Sequence, residues 1–355
     1  MASGTTPKQF DGEVASQPRD PSLAFSGREG EFIAALTARV PVRESPDGPG
    51  DDAARLAPGD CRVVSTDALV EGVHFTRAHP PHWLGWKVLA VNLSDLAAMG
   101  ATPEAFTLAA ALPADVPNGW WLSFSDGMGQ YARKHNVHLV GGDVVSSPRT
   151  AMFSVTCWGR LEGTTGLLRT GARPGHLLWI AGSLGRSRQG LARWLSLEHH
   201  DLWSTPQHRA VWHDDPLLRA HLRPDPPLSV GPAAMIAGAK AAMDISDGLW
   251  LDAQRMARAS GVDLVFDLGR LPTDELLSDI SPEERVLGGE DYALLLAGPP
   301  GSGPALEALG CSPIGHVVTA ASEGDIVLVR EGLPIDGNIG ACYQHFSGAS
   351  DSDSQ

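Results

Sequence analysis

Apolar residues recur at helical spacing in some segments of the chain and at strand spacing in others, which predicts an α/β (α+β) protein. The helical segments are 29–40, 86–99, 120–135, 187–197 and the end of 237–260, and the strand segments are 61–65, 105–112, 137–140, 151–161, 176–181, 262–267, the end of 286–296, 313–318 and 326–329. The first set of elements closes near residue 160, and 355 residues suffice for about two domains. We therefore expect an N-terminal domain at 29–162 and a C-terminal α/β domain at 163–347.

Both ends of the chain lack this periodicity. Residues 1–28 and 348–355 are rich in small and polar residues, so we expect disordered tails. No apolar run approaches the roughly 20 residues that span a bilayer, and no basic segment followed by an apolar core marks a secretory signal. The four cysteines include no Cys-x-x-Cys pair, which disfavours a zinc ribbon or a disulfide framework and fits a reducing cytoplasm.

The chain is acidic, with 42 acidic against 27 basic residues and a formal net charge of -15. Such a field repels a phosphate backbone, so nucleic acid is not an expected partner. Acidity becomes informative about function where carboxylates converge, because converging carboxylates need cations.

One carboxylate stands in the middle of the apolar helix at 86–99. Asp95 shares a helix face with Asn92 and Met99, since positions three and four apart are neighbours. A half-buried carboxylate costs free energy unless it is paired, and Lys87, two turns away, is the only nearby cation in the sequence. Asp95 therefore either faces water or is held by a metal ion.

Further acids occur at predicted turns and strand ends in both halves of the chain. They are Asp51 and Asp52 after Gly48-Pro49-Gly50, Asp67 in Ser65-Thr66-Asp67, Asp143 in Gly141-Gly142-Asp143, Asp244 and Asp247 in Asp244-Ile245-Ser246-Asp247-Gly248, and Glu290 and Asp291 after Gly288-Gly289. A single turn of this kind is also explained as a solvated turn or a helix cap, and Ser246 or Asp247 can cap the helix that follows. Together, hard oxygen ligands suit Mg²⁺, so the set predicts several Mg²⁺ ions with a polyphosphate between them.

The common phosphate-binding motifs are absent from the sequence. Gly-x-x-x-x-Gly-Lys-[Ser/Thr] does not occur, and no Gly-x-Gly-x-x-Gly follows a strand. A P-loop enzyme and a Rossmann dehydrogenase are therefore excluded. The absence of Gly-x-Ser-x-Gly likewise leaves no nucleophile motif for acyl transfer.

Six motifs occur in one order across 29–346, and they carry a resemblance to a known family. They are Gly50-Asp51-Asp52, Ser65-Thr66-Asp67 with Gly72-x-His74-Phe75, the run from Val91 to Ala101, Gly141-Gly142-Asp143, the run from Asp244 to Leu249, and Gly288-Gly289-Glu290-Asp291-Tyr292. In them the chain resembles the thiamine-monophosphate kinase family of the aminoimidazole-ribonucleotide-synthetase-like ATP-binding superfamily. The resemblance implies a two-domain synthetase-like fold, an N-terminal mixed-sheet domain that forms a homodimer, and ATP in the cleft between the halves. It also implies Mg²⁺-assisted, in-line phosphorylation of thiamine monophosphate by ATP to give thiamine diphosphate.

The resemblance also assigns roles by motif position. It implies Mg²⁺ ligands at Asp52, Ser65, Thr66, Asp67, Asp95, Asp143, Asp244 and Asp247, ATP contacts at Gly142, Asp143, Arg169 and Ser246, and thiamine phosphate contacts at His74, Glu290 and Tyr343. Asp95, Asp143 and Asp67 would be catalytic. The acceptor phosphate is already ionised, so transfer needs positioning and charge neutralisation more than a strong base. The Glu290 carboxylate suits the positive charge of thiamine, and Tyr343 suits its rings.

Some positions differ from the family pattern. Val144 and Val145 stand where two threonines are usual, Arg186 where Asp is usual, and Ala293 where Glu is usual. These differences bear on nucleotide affinity, and they keep open an alternative, a catalytically silent nucleotide- or Mg²⁺-binding protein.

Other enzymes of the superfamily fit less well. Selenophosphate synthetase needs a reactive Cys near its N-terminus, whereas the first Cys here is Cys61. The hydrogenase-maturation relative ends in a functional Cys, whereas this sequence ends in Ser354-Gln355. The aminoimidazole synthetase has a Gly-Thr-Lys element near the second motif that this chain lacks.

Overall fold

The computed structural model describes residues 51–56, 60–163, 165–197, 214–321, 324–330 and 333–334. The expectations for the tails at 1–28 and 348–355, for the helix at 29–40 and for Tyr343 lie outside these residues. None of the described helices combines the length and the apolar composition needed to cross a membrane.

The first half of the described chain forms a five-stranded mixed sheet packed against two long helices. Its strands are β1 (Ala54–Arg55), β2 (Arg62–Val70), β3 (Ala101–Pro113), β4 (His138–Ser147) and β5 (Met152–Leu161), in the spatial order β1-β2-β5-β3-β4. Strands β3 and β4 are parallel, and the other neighbours are antiparallel. The helices are α1 (Pro81–Ala98) and α2 (Asn118–His135).

Helix α1 is buried along almost its whole length, which explains why its sequence is apolar on nearly every side. It begins at Pro81, where the missing N–H group is harmless, and Gly100 just beyond its end adopts the left-handed φ of 74° that stops a helix. Gly85 lets α2 approach closely, because a Cβ atom there would lie 1.9 Å from the Phe124 carbonyl oxygen. The helix is thus held rigidly in the core, and so is any polar side chain that it carries.

The second half forms a seven-stranded mixed sheet with helices. The strands are β6 (Leu177–Ala181), β7 (Ala241–Ile245), β8 (Val262–Asp267), β9 (Ala293–Gly298), β10 (Ser312–Thr319), β11 (Ile326–Arg330) and β12 (Leu333–Pro334), in the order β12-β11-β8-β10-β6-β9-β7. Only β8 and β11 are parallel among these described pairs. The helices are α3 (Arg186–Ser196), α4 (Pro216–Leu222), α5 (Val230–Ile236), α6 (Leu249–Ser260), α7 (Pro282–Val286) and α8 (Gly303–Ala308).

The predicted fold class, two α/β halves of which the first has a mixed sheet, is confirmed. The predicted C-terminal ends of two strands were wrong. Strand β2 continues to Val70, and β4 continues through Gly141 and Gly142 to Ser147. The glycines do not end β4, because its pairing with β3 absorbs an irregularity between Phe106 and Thr107 and then resumes. Asp67 and Asp143 therefore lie inside strands rather than at strand tips.

Candidate active site

Three carboxylates from both halves of the chain meet at one place. Asp52 precedes β1, Asp95 lies on α1 and Asp244 lies in β7, and one oxygen of each lies within 4.8 Å of the others. Asp52 and Asp244 are buried, and Asp95 is half-buried. Asp95 therefore belongs to a group of carboxylates whose spacing could hold a metal ion.

Burial and mutual repulsion raise the pKa values of two of these acids. Burial is the largest cause that raises the pKa of Asp95 well above its ordinary value, and the charges of Asp244, Asp67 and Asp52 raise it further. Burial and the Asp52 charge do the same to the pKa of Asp244. Arg169 balances one charge, since its guanidinium donates to the two oxygens of Asp52 at 2.8 and 3.2 Å. The excess of buried carboxylate oxygens fits a hard divalent cation such as Mg²⁺.

Alternate residues of β2 add oxygens beside Asp95. The Ser65 hydroxyl donates to Asp95 Oδ2 at 2.6 Å, and Asp67, two residues further on, projects from the same face of the strand. Asn92 fixes the backbone at this point, because its side-chain oxygen accepts the Asp67 N–H at 3.0 Å. The Asn92–Asp95 face predicted from the helical spacing is therefore the face that meets β2.

Thr66 does not join this group through its side chain. The residue lies between Ser65 and Asp67, so its side chain projects from the opposite face of β2. There its hydroxyl donates to the Val155 carbonyl at 3.0 Å and accepts from Thr156 at 3.1 Å. The Thr66 hydroxyl is thus occupied in the sheet.

Asp143 and Gly142 also lie away from the cluster within one chain. They belong to β4, which is separated from β2 by β5 and β3. Three strand spacings correspond to roughly 14 Å between the backbones of Asp143 and Asp67. The Asp143 carboxylate is exposed and accepts the N–H of Val144 at 2.9 Å. The motif alone could not reveal this separation, because strand order in a sheet is not encoded locally.

The turn before α6 is held by an acid that sequence reasoning missed. Asp252 is buried, and its Oδ2 accepts the N–H groups of Asp247 and Gly248 at 2.9 and 3.2 Å. Arg255 donates to Asp252 at 2.7 Å and pairs with Asp247 at 2.6 Å. The prediction that Ser246 or Asp247 caps α6 is wrong, since Gly248 precedes the helix and the Asp252 carboxylate accepts the free amides. An acid in the first helical turn was the available signal.

Replacing Asp252 with Ala is expected to destabilise the protein by about 3 kcal/mol, because two buried N–H groups and the Arg255 guanidinium lose an acceptor. Asp252→Asn retains one acceptor oxygen and should cost about half as much. Urea unfolding at pH 8 measures both variants, since burial raises the pKa of Asp252 to about 7 and the carboxylate is mainly ionised at pH 8. Native stability of Asp252→Ala would contradict the anchoring role.

The two acidic turns of the second half pack on each other. The N–H of Glu290 donates to the Ser246 carbonyl at 2.6 Å, and the N–H of Tyr292 donates to the Ile245 carbonyl at 2.9 Å. Glu290 and Tyr292 have φ values of 60° and 49°, which cost free energy for residues other than glycine. Strained backbone of this kind persists only where the surroundings hold it, so this turn is a place where side-chain position is fixed.

Asp291 holds the start of α3 against the same turn. Its two oxygens accept the N–H groups of Gly185 at 2.6 Å and Ser187 at 3.1 Å, and burial raises its pKa to about 7. Arg186, which stands where the family usually has Asp, forms a two-point ion pair with Asp274 at 2.5 and 3.1 Å. Arg186 therefore links the start of α3 to Asp274.

Lys87, which the sequence offered as the nearest cation to Asp95, pairs with Glu290. The Lys87 Nζ lies 2.9 Å from Glu290 Oε1, and the lysine side chain is fully buried. Burial is the largest single influence and would raise the pKa of Glu290, but Lys87 and His221 together outweigh it and hold that pKa well below its usual range. Because Lys87 balances the charge of Glu290, attraction of a positive ring is a weaker argument for Glu290 than the sequence suggested.

His74 lies in the turn after β2, where its Nδ1 accepts the N–H of Val70 at 3.1 Å. The neutral ring therefore carries its proton on Nε2. The nearby Glu71 carboxylate accepts from Arg77 at 2.6 Å and from the N–H of Ala151 at 2.7 Å, which fixes the start of the turn to β5. These contacts hold His74 in place at the end of β2.

The structure thus sorts the predicted residues into groups. One group of oxygens and its counter-charge comes together: Asp52, Ser65, Asp67, Asp95, Arg169 and Asp244. Ser246 and Asp247 follow Asp244 directly, and Glu290 packs on Ser246. Gly142 and Asp143 lie on a distant strand of the same chain, and Tyr343 lies outside the described residues.

Comparison with known proteins identifies the family of this chain. Residues 50–161 match the family model of AIR synthase related protein, N-terminal domain, and residues 173–330 match the model of the C-terminal domain. The thiamine-monophosphate kinase of Mycobacterium tuberculosis is 38% identical over 280 residues, which are 75% of this chain and 80% of that protein. The thiamine-monophosphate kinase of Escherichia coli strain K12 is 35% identical over 316 residues, which are 84% and 92% of the two chains.

A solved structure described as "AaThiL complexed with AMPPCP and TMP" superimposes with a TM-score of 0.74 at 30% identity, and the match covers 90% of this chain and 97% of that one. Together these matches extend over both sheets and over the carboxylates that meet between β2, α1 and β7. The chain therefore belongs to the thiamine-monophosphate kinase family of AIR synthase related proteins.

Proposed function

We propose that this chain transfers a phosphoryl group from ATP to thiamine monophosphate, giving ADP and thiamine diphosphate. The convergence of Asp52, Asp95 and Asp244 within 4.8 Å carries the proposal, because transfer between two phosphorylated substrates brings together negative charge that must be neutralised. The family supports the same reaction, since relatives are thiamine-monophosphate kinases and a solved relative binds AMPPCP and TMP.

Mg²⁺ is the cation that best suits this donor set, since the set consists of carboxylate and hydroxyl oxygens. The residues that would hold it are Asp52, Ser65, Asp67, Asp95 and Asp244. Bound there, it would neutralise charge on the reacting phosphates. Asp247 would contribute only after exchanging its ion pair with Arg255, and Thr66 only through a group other than its bonded hydroxyl.

The chain itself contributes positioning. The acceptor is a phosphate oxygen that is ionised at neutral pH, so no side chain has to remove a proton before transfer. Arg169 lies beside the cluster and can bind phosphate oxygens with the guanidinium edge that Asp52 does not use. His74 remains a proposed contact of the substrate phosphate. Ser246 and Gly142 remain proposed ATP contacts, and Glu290 and Tyr343 remain proposed thiamine phosphate contacts.

We also propose that the protein is a homodimer formed through the edges of the first sheet. Within the described residues, β4 pairs only with β3, and β2 beyond Val64 pairs only with β5. Unpaired edges are usually protected, and β4 also exposes Leu139, Val140, Val144 and Val145. A two-fold axis that joins β4 of each protomer to β2 of the other satisfies both edges at once.

In this dimer, Asp143 would lie close to the carboxylates of the other protomer. The residue is roughly 14 Å from Asp67 within a chain, but it lies on the strand that would pair with β2 of the partner. Asp143 and Gly142 would then serve the active site of the other protomer, next to Thr66 and Asp67. The proposed roles of Asp143 in binding ATP and Mg²⁺ thus depend on the dimer.

One assay tests the proposed function. The purified chain is incubated with Mg²⁺, ATP and thiamine monophosphate, and we expect equal amounts of ADP and thiamine diphosphate by chromatography. Reactions with EDTA, or with unphosphorylated thiamine as acceptor, are the controls and should give no thiamine diphosphate. Bound ATP without any product would refute the kinase proposal and favour the silent nucleotide-binding alternative.

A further inference from the structure

A buried ion pair joins α1 to the strained turn that carries Glu290. Lys87 reaches the turn from the same helix as Asp95, and its ammonium group lies 2.9 Å from Glu290 Oε1. The lysine side chain has no exposed surface, whereas 27% of the glutamate side chain is exposed. The glutamate therefore presents one side to solvent, and its other side is held by the protein.

His221 holds the second oxygen of the same carboxylate. Its Nδ1 lies 3.1 Å from Glu290 Oε2 and 3.2 Å from the Ser187 hydroxyl. Burial, together with the Lys87 charge, lowers the pKa of His221, so the ring is neutral and donates Nδ1–H to the carboxylate. Glu290 thus receives one charged and one neutral partner from different parts of the chain.

The segment that carries His221 is docked firmly on α1. Leu218 and Leu222 of α4 pack in one buried cluster with Trp83 and Trp194. Beyond α4, the Trp86 indole N–H donates to the Pro224 carbonyl at 2.7 Å. The Arg223 guanidinium lies 3.7 Å from the centre of the Trp86 ring. The segment from α4 to Pro224 therefore serves as a fixed support for Glu290.

The turn at Glu290 needs such a support. Glu290 and Tyr292 both have positive φ, and neither is a glycine. The backbone hydrogen bond from the Glu290 N–H to the Ser246 carbonyl links the turn to the segment after Asp244, but it does not fix the direction of the Glu290 side chain. Lys87 and His221 do so, because each binds a different carboxylate oxygen.

We propose that Lys87 and His221 are positioning residues for substrate recognition, which hold the Glu290 carboxylate and its turn in the geometry that binds thiamine monophosphate. The inference rests on the proposed function and extends it to residues that touch Glu290 rather than the substrate. Its consequence is a selective defect. Loss of either partner should weaken binding of thiamine monophosphate and leave binding of ATP at the carboxylate cluster unchanged.

Steady-state kinetics of Lys87→Met and of a matched pair, His221→Leu and His221→Asn, test this. Methionine has a similar length without the charge, and the Asn amide can donate from nearly the position of Nδ1. We expect Lys87→Met and His221→Leu to raise KM for thiamine monophosphate about tenfold or more, with KM for ATP within about twofold of the native value. His221→Asn should restore most of the native KM, which a purely structural role for the ring would not predict.

The double variant Lys87→Met/Glu290→Gln keeps the test decisive if Lys87→Met does not fold, because it removes both charges of the pair. It should fold and show the same selective rise in KM for thiamine monophosphate. Equal changes in both KM values, an unchanged KM for thiamine monophosphate, or failure of His221→Asn to restore binding would overturn the proposal. An inactive native enzyme would instead refute the proposed function.

Discussion

Asp95→Asn is expected to lower kcat at least about a thousandfold and to raise the melting temperature of the metal-free protein. Both effects have one cause. Asp95 is one of three carboxylates whose oxygens lie within 4.8 Å, and burial together with the neighbouring charges raises its pKa well above the ordinary range. The arrangement opposes folding and favours cation binding. Removing one charge therefore stabilises the folded, metal-free protein and abolishes cation binding.

Asparagine preserves the shape of the site. It has the same size as aspartate, and its carbonyl oxygen can still accept the Ser65 hydroxyl that donates to Asp95 Oδ2 at 2.6 Å. Loss of activity with a raised melting temperature therefore cannot be ascribed to misfolding. A substitution that removed only packing would have the opposite effect on stability.

Thermal unfolding in EDTA and in millimolar Mg²⁺, alongside initial rates, measures both parts of the prediction. Mg²⁺ should raise the melting temperature of the native protein clearly and that of Asp95→Asn little. Asp126→Asn is the matched control, because Asp126 is exposed on the neighbouring helix α2 and should change neither rate nor stability. Near-native turnover of Asp95→Asn, or a lower melting temperature without metal, would show that the cluster does not bind the cation.

Asp95 shows how far local sequence patterns reach. Helical spacing placed it correctly on a face with Asn92, because a helix fixes the relation between positions three apart. The same reasoning could not identify the partner of Lys87, which lies two turns from Asp95 on the helix and pairs with Glu290 of the other half of the chain. Its partner is set by how the two halves pack, which no local pattern contains.

The predictions of strand ends and of a helix cap were wrong for related reasons. Gly141 and Gly142 read as a strand end, yet pairing with β3 carries β4 past them. Asp247 was a good candidate for a helix cap, but Asp252 accepts its N–H, and Asp247 pairs with Arg255. In each case a contact from a neighbouring element overrode the local preference. The fold class and the acids of the cluster were predictable from the sequence, but the contacts of these acids and the role of Asp252 were not.

Asp67→Asn and Asp143→Asn are each expected to lower activity at least about a hundredfold as homodimers, yet a heterodimer of the two variants should regain about half of the native activity. The reason is the order of strands. Asp67 on β2 and Asp143 on β4 are separated by two strands, so they cannot bind one ion within a chain. In the proposed dimer, each active site takes Asp67 from one protomer and Asp143 from the other. The heterodimer then contains one site with both acids and one with neither.

Two different affinity tags allow the heterodimer to be purified, and a second heterodimer with the same substitutions arranged differently is the control. In it, one protomer is native and the other is Asp67→Asn/Asp143→Asn. If the acids act across the interface, each of its sites lacks one acid and activity stays at the level of the single variants. If they act within a chain, the native protomer keeps its site, and this heterodimer, not the first, has half of the native activity. The pattern of activity in the two heterodimers therefore decides where Asp143 acts, since the number of substituted residues is the same in both.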